Sequence, residues 1–142
     1  MDSHTPISTQ ERNELALLAS NEGVWDWYIG ETYIYYSQRV LKFLGYDQDS
    51  APNIFTQAND YFHEEELPAF KEALHVSLLE NGEETFASDC RYRHPDGTWH
   101  WLRIRGVVVH NDNGTATRMV GSIINISLRK NAELALDEER YR

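Results

Sequence analysis

Two turn signals constrain this chain more than any other feature. Pro95-Asp96-Gly97-Thr98 and Asn111-Asp112-Asn113-Gly114 separate three stretches rich in aromatic and β-branched residues, TFASDCRYRH, WHWLRIRGVVVH and TRMVGSIINIS. Such a sequence folds as antiparallel strands joined by tight turns. Pro95 presets φ for a turn and Gly97 can take a positive φ. Residues 85–127 therefore read as a three-stranded meander, and the rest of the chain must cover it.

Side chains alternate across a strand, so the register of the first hairpin sorts them into two faces. With even-numbered residues opposite even-numbered ones, Phe86, Ser88, Cys90, Tyr92, Leu102, Ile104, Gly106 and Val108 form a core face. Asp89, Arg91, Arg93, Trp99, Trp101, Arg103 and Arg105 form the other. Ser88, Cys90 and Gly106 are small, which leaves room for an arriving helix or for a bound small molecule. On the outer face the arginines interleave with indoles, and Asp89 is placed to accept from Arg103 or Arg105. The remaining positive charge is expected to meet acidic residues of the N-terminal helix or of a partner subunit.

The chain has 142 residues, enough for one domain that buries roughly two-thirds of its unfolded surface. A net charge of -10 argues against a nucleic-acid or anionic-membrane partner. Its one cysteine excludes an internal disulfide and a multi-thiolate metal site, and suits a reducing cytosol. The apolar runs are too short to span a bilayer, and MDSHTPISTQE lacks signal-peptide character. The expectation is a soluble cytoplasmic domain.

Ser8 to Glu11 fits a capping box that opens a helix over 9–20, with an apolar stripe at Leu15, Leu18 and Ala19, Leu17 beside it. GVWDWYIGETYIYYS reads as a second hairpin, 24–29 with 33–36. Ser37 is expected to cap the short helix QRVLKFLG, which turns Val40, Leu41, Phe43 and Leu44 inward and ends at Gly45. Residues 46–59 show no period beyond a brief helix at Ile54, Phe55 and Ala58, and are expected to be mobile. YFHEEELPAFKEALHVSLLENGE reads as one long helix with Leu67, Phe70, Leu74 and Leu78 on its apolar face and Glu64, Glu65 and Glu66 at its positive end. Ser127 is expected to cap a last, mostly polar helix that carries Leu128, Ala132, Leu134, Ala135, Leu136 and Tyr141.

With GVWDW, YYS, FLGY, FHEEE, a helix ending NGE, RYRHPDGTWHWLRIRG and GSIINIS in this order, the chain resembles a PAS domain with its PAC segment. It is most similar to the tryptophan-containing subgroup of bacterial signalling proteins, marked by Trp25, Trp27 and Trp101. The resemblance covers about 24–130 and implies an α+β fold. That fold has a five-stranded antiparallel sheet in order 2-1-5-4-3, helices on one face around a small cavity, and flanking helices at both ends. It divides the chain into an N-terminal flanking helix (1–22), a sensory PAS/PAC domain (23–127) and a C-terminal signalling helix (128–142) leading to a further domain.

Two departures from the family pattern matter. Asn125-Ile126-Ser127 stands where the family often has Asp-Ile-Thr, so the step into the exit helix loses an ion pair or uses amide hydrogen bonds instead. The Asn-Cys-Arg motif of flavin-binding relatives is missing, and Cys90 lies on a strand, which argues against flavin-cysteine photochemistry. Of the six histidines only His75, on the long helix, lies near where haem-binding relatives place a ligand, at the edge of the apolar stripe. The expectation is no tightly bound cofactor and no metal.

No nucleophile with base and orienting acid, phosphate loop or HExxH pair is present. The reading is a non-enzymatic sensory domain. Trp25, Trp27, Tyr36, Phe70, Leu74, Tyr92 and Ile104 are the candidate cavity lining, and Asn125, Ile126 and Ser127 the signal relay. Leu15, Leu18 and Ala19 are the candidate homodimer contacts. The output domain in the same chain is expected to be a cyclic-dinucleotide enzyme or a histidine kinase. The alternatives are a ligand-free dimerisation module and a small α+β isomerase, which would need a carboxylate on the core face.

Overall fold

The computed structural model describes residues 8–140, without the side chains of residues 17, 18 and 140. The candidate contact Leu18, with Leu17, His4 and Tyr141, thus lies outside the described side chains. In chain order the elements are α1 (Thr9–Ser20), β1 (Gly23–Tyr28), β2 (Ile34–Tyr36), α2 (Gln38–Leu44), α3 (Ala58–Tyr61), α4 (Leu67–Leu78), β3 (Thr85–Arg93), β4 (Trp99–His110), β5 (Ala116–Asn125) and α5 (Ser127–Arg140). The strands form one antiparallel sheet, β2-β1-β5-β4-β3. No described helix is long and apolar enough to cross a membrane.

The β3–β4 register pairs Phe86 with Gly106, Cys90 with Leu102 and Tyr92 with His100, even against even, as the turn chemistry requires. Phe86, Cys90, Tyr92, Leu102, Ile104 and Val108 are buried beneath α2, α3 and α4. Gly106 is small for a specific reason. A Cβ there would stand 2.7 Å from the Trp25 ring, so the space opened by this glycine is filled by the indole of β1.

On the outer face Arg103 forms a two-point ion pair with Asp89, at 2.9 and 3.0 Å. Arg118 does the same with Asp26 and lies over the Tyr28 ring. Arg91 and Lys130 both sit over Trp101, 5.1 and 5.0 Å from its centroid. The acidic partners of this patch come from within the domain, contrary to the expected N-terminal helix or second subunit: Arg91 bonds Glu65 and Glu66. Glu66 stands at the N-cap of α4, but its carboxylate, like that of Glu65, turns to Arg91 of the sheet and makes no cap bond.

One helix boundary and two hydroxyl caps differ from the sequence reading. The long helix begins at Leu67, because Phe62 bridges to Tyr92 and the His63 N–H donates to the Arg91 carbonyl, which holds 62–66 out of helix. Ser37 stands at the N-cap of α2 as expected but makes no side-chain cap bond; its hydroxyl accepts from the Val24 N–H at 2.9 Å and extends the β1–β2 ladder. Ser127 likewise gives its hydroxyl to the Trp101 N–H of β4, also at 2.9 Å. In both places a strand N–H has claimed the oxygen that a helix end would otherwise take. At α1 the expected cap forms, the Ser8 hydroxyl accepting from the Glu11 N–H.

Residues 46–59, expected to be mobile, supply part of the core. Asn53, Ile54, Phe55 and Ala58 are buried. The Asn53 side chain accepts from the Phe55 and Thr56 N–H groups, a local turn that drives Phe55 inward. Gln48 lies along the free edge of β2, its amide accepting from the Tyr36 N–H and donating to the Ile34 carbonyl.

Candidate functional site

Two places gather the residues singled out by sequence. The first is the space between the helices and the inner sheet face. Trp25, Trp27, Tyr36, Phe70, Tyr92 and Ile104 are all buried there. Sequence reasoning left out the residue at its centre, Phe55. Its ring stacks on Trp27 at 5.1 Å and Phe70 at 6.0 Å, is tilted against Trp25 at 4.6 Å, and meets Phe86 edge-on at 5.8 Å. The only signal was the apolar pair Ile54-Phe55 within a run of turn residues.

The polar tips of this nest are satisfied locally. Trp25 Nε1–H donates to the Ser122 carbonyl and Trp27 Nε1–H to that of Glu31. The Tyr36 hydroxyl donates to the Pro52 carbonyl and accepts from the Ile54 N–H, clamping the 52–55 turn to β2. The Tyr92 hydroxyl donates to the Leu44 carbonyl at the end of α2. Burial raises the pKa of both phenols, so they remain protonated donors. It also pushes the Cys90 thiol up to about 12, which keeps it un-ionised and unreactive.

Leu74, the seventh candidate, is half-buried and packs against the edge of the nest. With Phe55, Lys71, His75 and Leu78 it lines a cleft of about 260 Å³ between α4 and the segment leading into α3. His75 is exposed on that cleft. Phe55 is thus shared, its ring closing the interior on one side and flooring the cleft on the other. Among the described residues no carboxylate is buried in the core, and Asp89 faces outward.

The second place is the junction of β5 and α5. The Ile126 N–H donates to the Trp101 carbonyl, and the Trp101 N–H donates to the Ser127 hydroxyl. The Ser127 N–H in turn donates to Asn125 Oδ1 at 2.9 Å. The departure Asn125 therefore works through its amide, accepting from the helix start while its Nδ2 faces His100 Nδ1 at 3.4 Å. Sequence reasoning did not single out His100; only the fold brings it to Asn125. The dimer candidates Leu15 and Ala19 are exposed on α1, as are Leu128, Leu134 and Leu136 on α5.

The family described as the PAS fold matches residues 33–123. The structure is similar to that of a sensory box histidine kinase/response regulator from Burkholderia thailandensis, with 29% identity, a TM-score of 0.77, and 92% of this chain and 96% of that one covered. It is also similar to the N-terminal domain of a diguanylate cyclase with PAS/PAC sensor from Marinobacter aquaeolei, with 24% identity, a TM-score of 0.64, and 77% and 98% covered. The PAS-B domain of Drosophila melanogaster Cycle with bound glycerol shares the fold at 18% identity and a TM-score of 0.56, with 72% and 98% covered. Among curated proteins none matches the chain.

Proposed function

This chain belongs to the PAS family, and on that premise we propose that it is a sensory module whose inner aromatic nest responds to a small molecule or protein partner. The response leaves through α5 to an output domain, of histidine-kinase or cyclic-dinucleotide type as in the two bacterial proteins it is similar to. One observation carries this reading: α5 does not hang from the sheet by a loose linker. The chain entering it is tied to the start of β4 by the Trp101–Ile126 and Trp101–Ser127 hydrogen bonds, so a shift of β4 moves the helix.

Phe55 is the movable piece. It stands between the outer cleft and the nest on a turn held to β2 by the Tyr36 hydroxyl, so its displacement opens the interior to a ligand against Trp25 and Trp27. Exposed Leu15 of α1 and the exposed leucines of α5 are the surfaces on which a second copy would assemble. This domain itself performs no catalysis in this reading. The test is a fragment screen read by the indole N–H resonances of Trp25 and Trp27 and the amide of Ser127 in one spectrum. Ligands that move all three support the reading; ligands that move the indoles and leave Ser127 unchanged refute the relay.

A further inference from the structure

We propose that the β3–β4 turn is a binding site for a divalent transition-metal ion, held by His94 Nδ1, Asp96 and His100 Nε2, and that its occupancy is read at the start of α5. The donor atoms of these three residues lie within 4.8 Å of one another. His94 Nδ1 and Asp96 Oδ1 are 3.1 Å apart, close to the ~3.3 Å that two ligands of a tetrahedral zinc subtend. The Asp96 N–H donates to His94 Nδ1, so that nitrogen is the unprotonated one of its ring, and a metal would take over from the amide the lone pair it now holds. The His94 ring is set in this attitude by Gly45, whose φ of 82° ends α2: a Cβ there would stand 2.5 Å from His94 Nε2. Two imidazoles and one carboxylate suit zinc, nickel or cobalt and not calcium or magnesium.

A second group, His63, Glu65 and Glu66, has the same donor types but is already filled. The Arg91 guanidinium bonds both carboxylates and stands where a cation would. No such cation stands on Asp96, whose carboxylate accepts from Thr98 and whose side chain is 54% exposed.

The coupling follows from hydrogen-bond polarity. The Ser127 N–H can only donate, which fixes Asn125 Oδ1 as its acceptor and leaves Nδ2 to donate to His100 Nδ1. His100 then carries its proton on Nε2 and donates to the Thr98 hydroxyl, whose own hydrogen goes to Asp96. The carboxylate end demands the same direction, so the chain from helix to turn runs one way throughout. A metal on His100 Nε2 moves that proton to Nδ1, through solvent and with no net release. Nδ1–H then faces the Asn125 NH₂, donor against donor. Relief requires the amide to rotate or withdraw, and either removes the acceptor from the Ser127 N–H. Metal binding and the α5 start are therefore opposed, by the same free energy in both directions.

Zinc titration of the full chain by calorimetry, alongside amide spectra, tests both parts, and the metal site stands whether or not the aromatic nest takes a ligand. One saturable equivalent is expected, weakened at least about tenfold by Asp96→Asn or His100→Gln and unchanged by His63→Gln. Asn125→Asp should tighten it about tenfold, because a carboxylate accepts from His100 Nδ1–H and from Ser127 N–H together. Zinc should shift the Ser127 amide and hasten its exchange in the native chain, and do neither in Asn125→Asp. Absence of saturable binding, or binding indifferent to Asp96→Asn, overturns the site. Asn125→Asp that binds zinc no better overturns the coupling. Asp96 is exposed and far from the core, so that variant separates metal loss from misfolding.

Discussion

The two faces of the sheet are made from alternate residues of the same strands, yet they hold together by different physics. The inner face is aromatic and close-packed, and the polar tips of Tyr36, Tyr92, Trp25 and Trp27 each have a backbone partner. The outer face is charged, and its order comes from forks: Arg103 on Asp89, Arg118 on Asp26, Arg91 between Trp101 and two glutamates. Inner contacts contribute most of the stability because each removes a large area from water. Outer contacts are individually small; they fix which strand residue stands opposite which.

The largest expected effect lies at the centre of the inner face. Phe55→Ala removes a ring that touches four others and should cost about 3–5 kcal/mol, read as a shift of the denaturation midpoint. A loss below ~1 kcal/mol would mean that the nest collapses around the gap and is softer than described. Gly106→Ala comes next. Its Cβ would meet the Trp25 ring at 2.7 and 2.9 Å, and overpacking of this kind costs about 1–3 kcal/mol, with a shift of the Trp25 fluorescence as the local sign.

Tyr36→Phe keeps the ring and deletes the clamp, leaving the Ile54 N–H and the Pro52 carbonyl without their partner, for a loss of about 1–3 kcal/mol in thermal unfolding. The smallest effects belong to the outer face. Asp89 and Glu66 are held below the usual carboxylate range by their arginine hydrogen bonds. Depressed folded-state values mean that the stability they contribute is present above the unfolded carboxylate pKa and is lost as pH falls through the lower folded values, below about pH 4. Arg103→Gln should flatten that acid limb, and a double-mutant cycle with Asp89→Asn should return about 0.2–1 kcal/mol. A coupling as large as the inner-face losses would erase the distinction between the two faces.

The meander was legible because its signals are local: turn residues sit beside the strands whose register they set, so Phe86 and Gly106 could be placed opposite each other without knowing anything else. The position of Trp25 against Gly106 was not legible. It depends on β1 lying beside β5, which no local pattern encodes and only the family resemblance supplied. The helix caps failed where the fold offers a competitor, since the oxygens of Ser37 and Ser127 were both drawn to strand N–H groups distant in sequence. Pro68 marked the true start of α4, but the acidic run before it looks like a helix N-terminus until Arg91 is seen to pair with it. Phe55 was hidden by the opposite cause. A residue held by one turn and a surrounding nest has no periodicity to betray it.

The side chain of Gln48 and the pair His63–Glu66 do something further, at opposite ends of the sheet. An outermost strand ordinarily presents a row of open amides and carbonyls, on which a foreign strand can template itself. At β2 the Gln48 amide imitates one peptide unit of such a visitor, answering Tyr36 and Ile34. At β3 the Arg91 N–H is taken by the Glu66 carboxylate and its carbonyl by the His63 N–H. At each margin of the sheet one stretch of the open edge is thus occupied by the chain itself, which leaves a visiting strand fewer partners there.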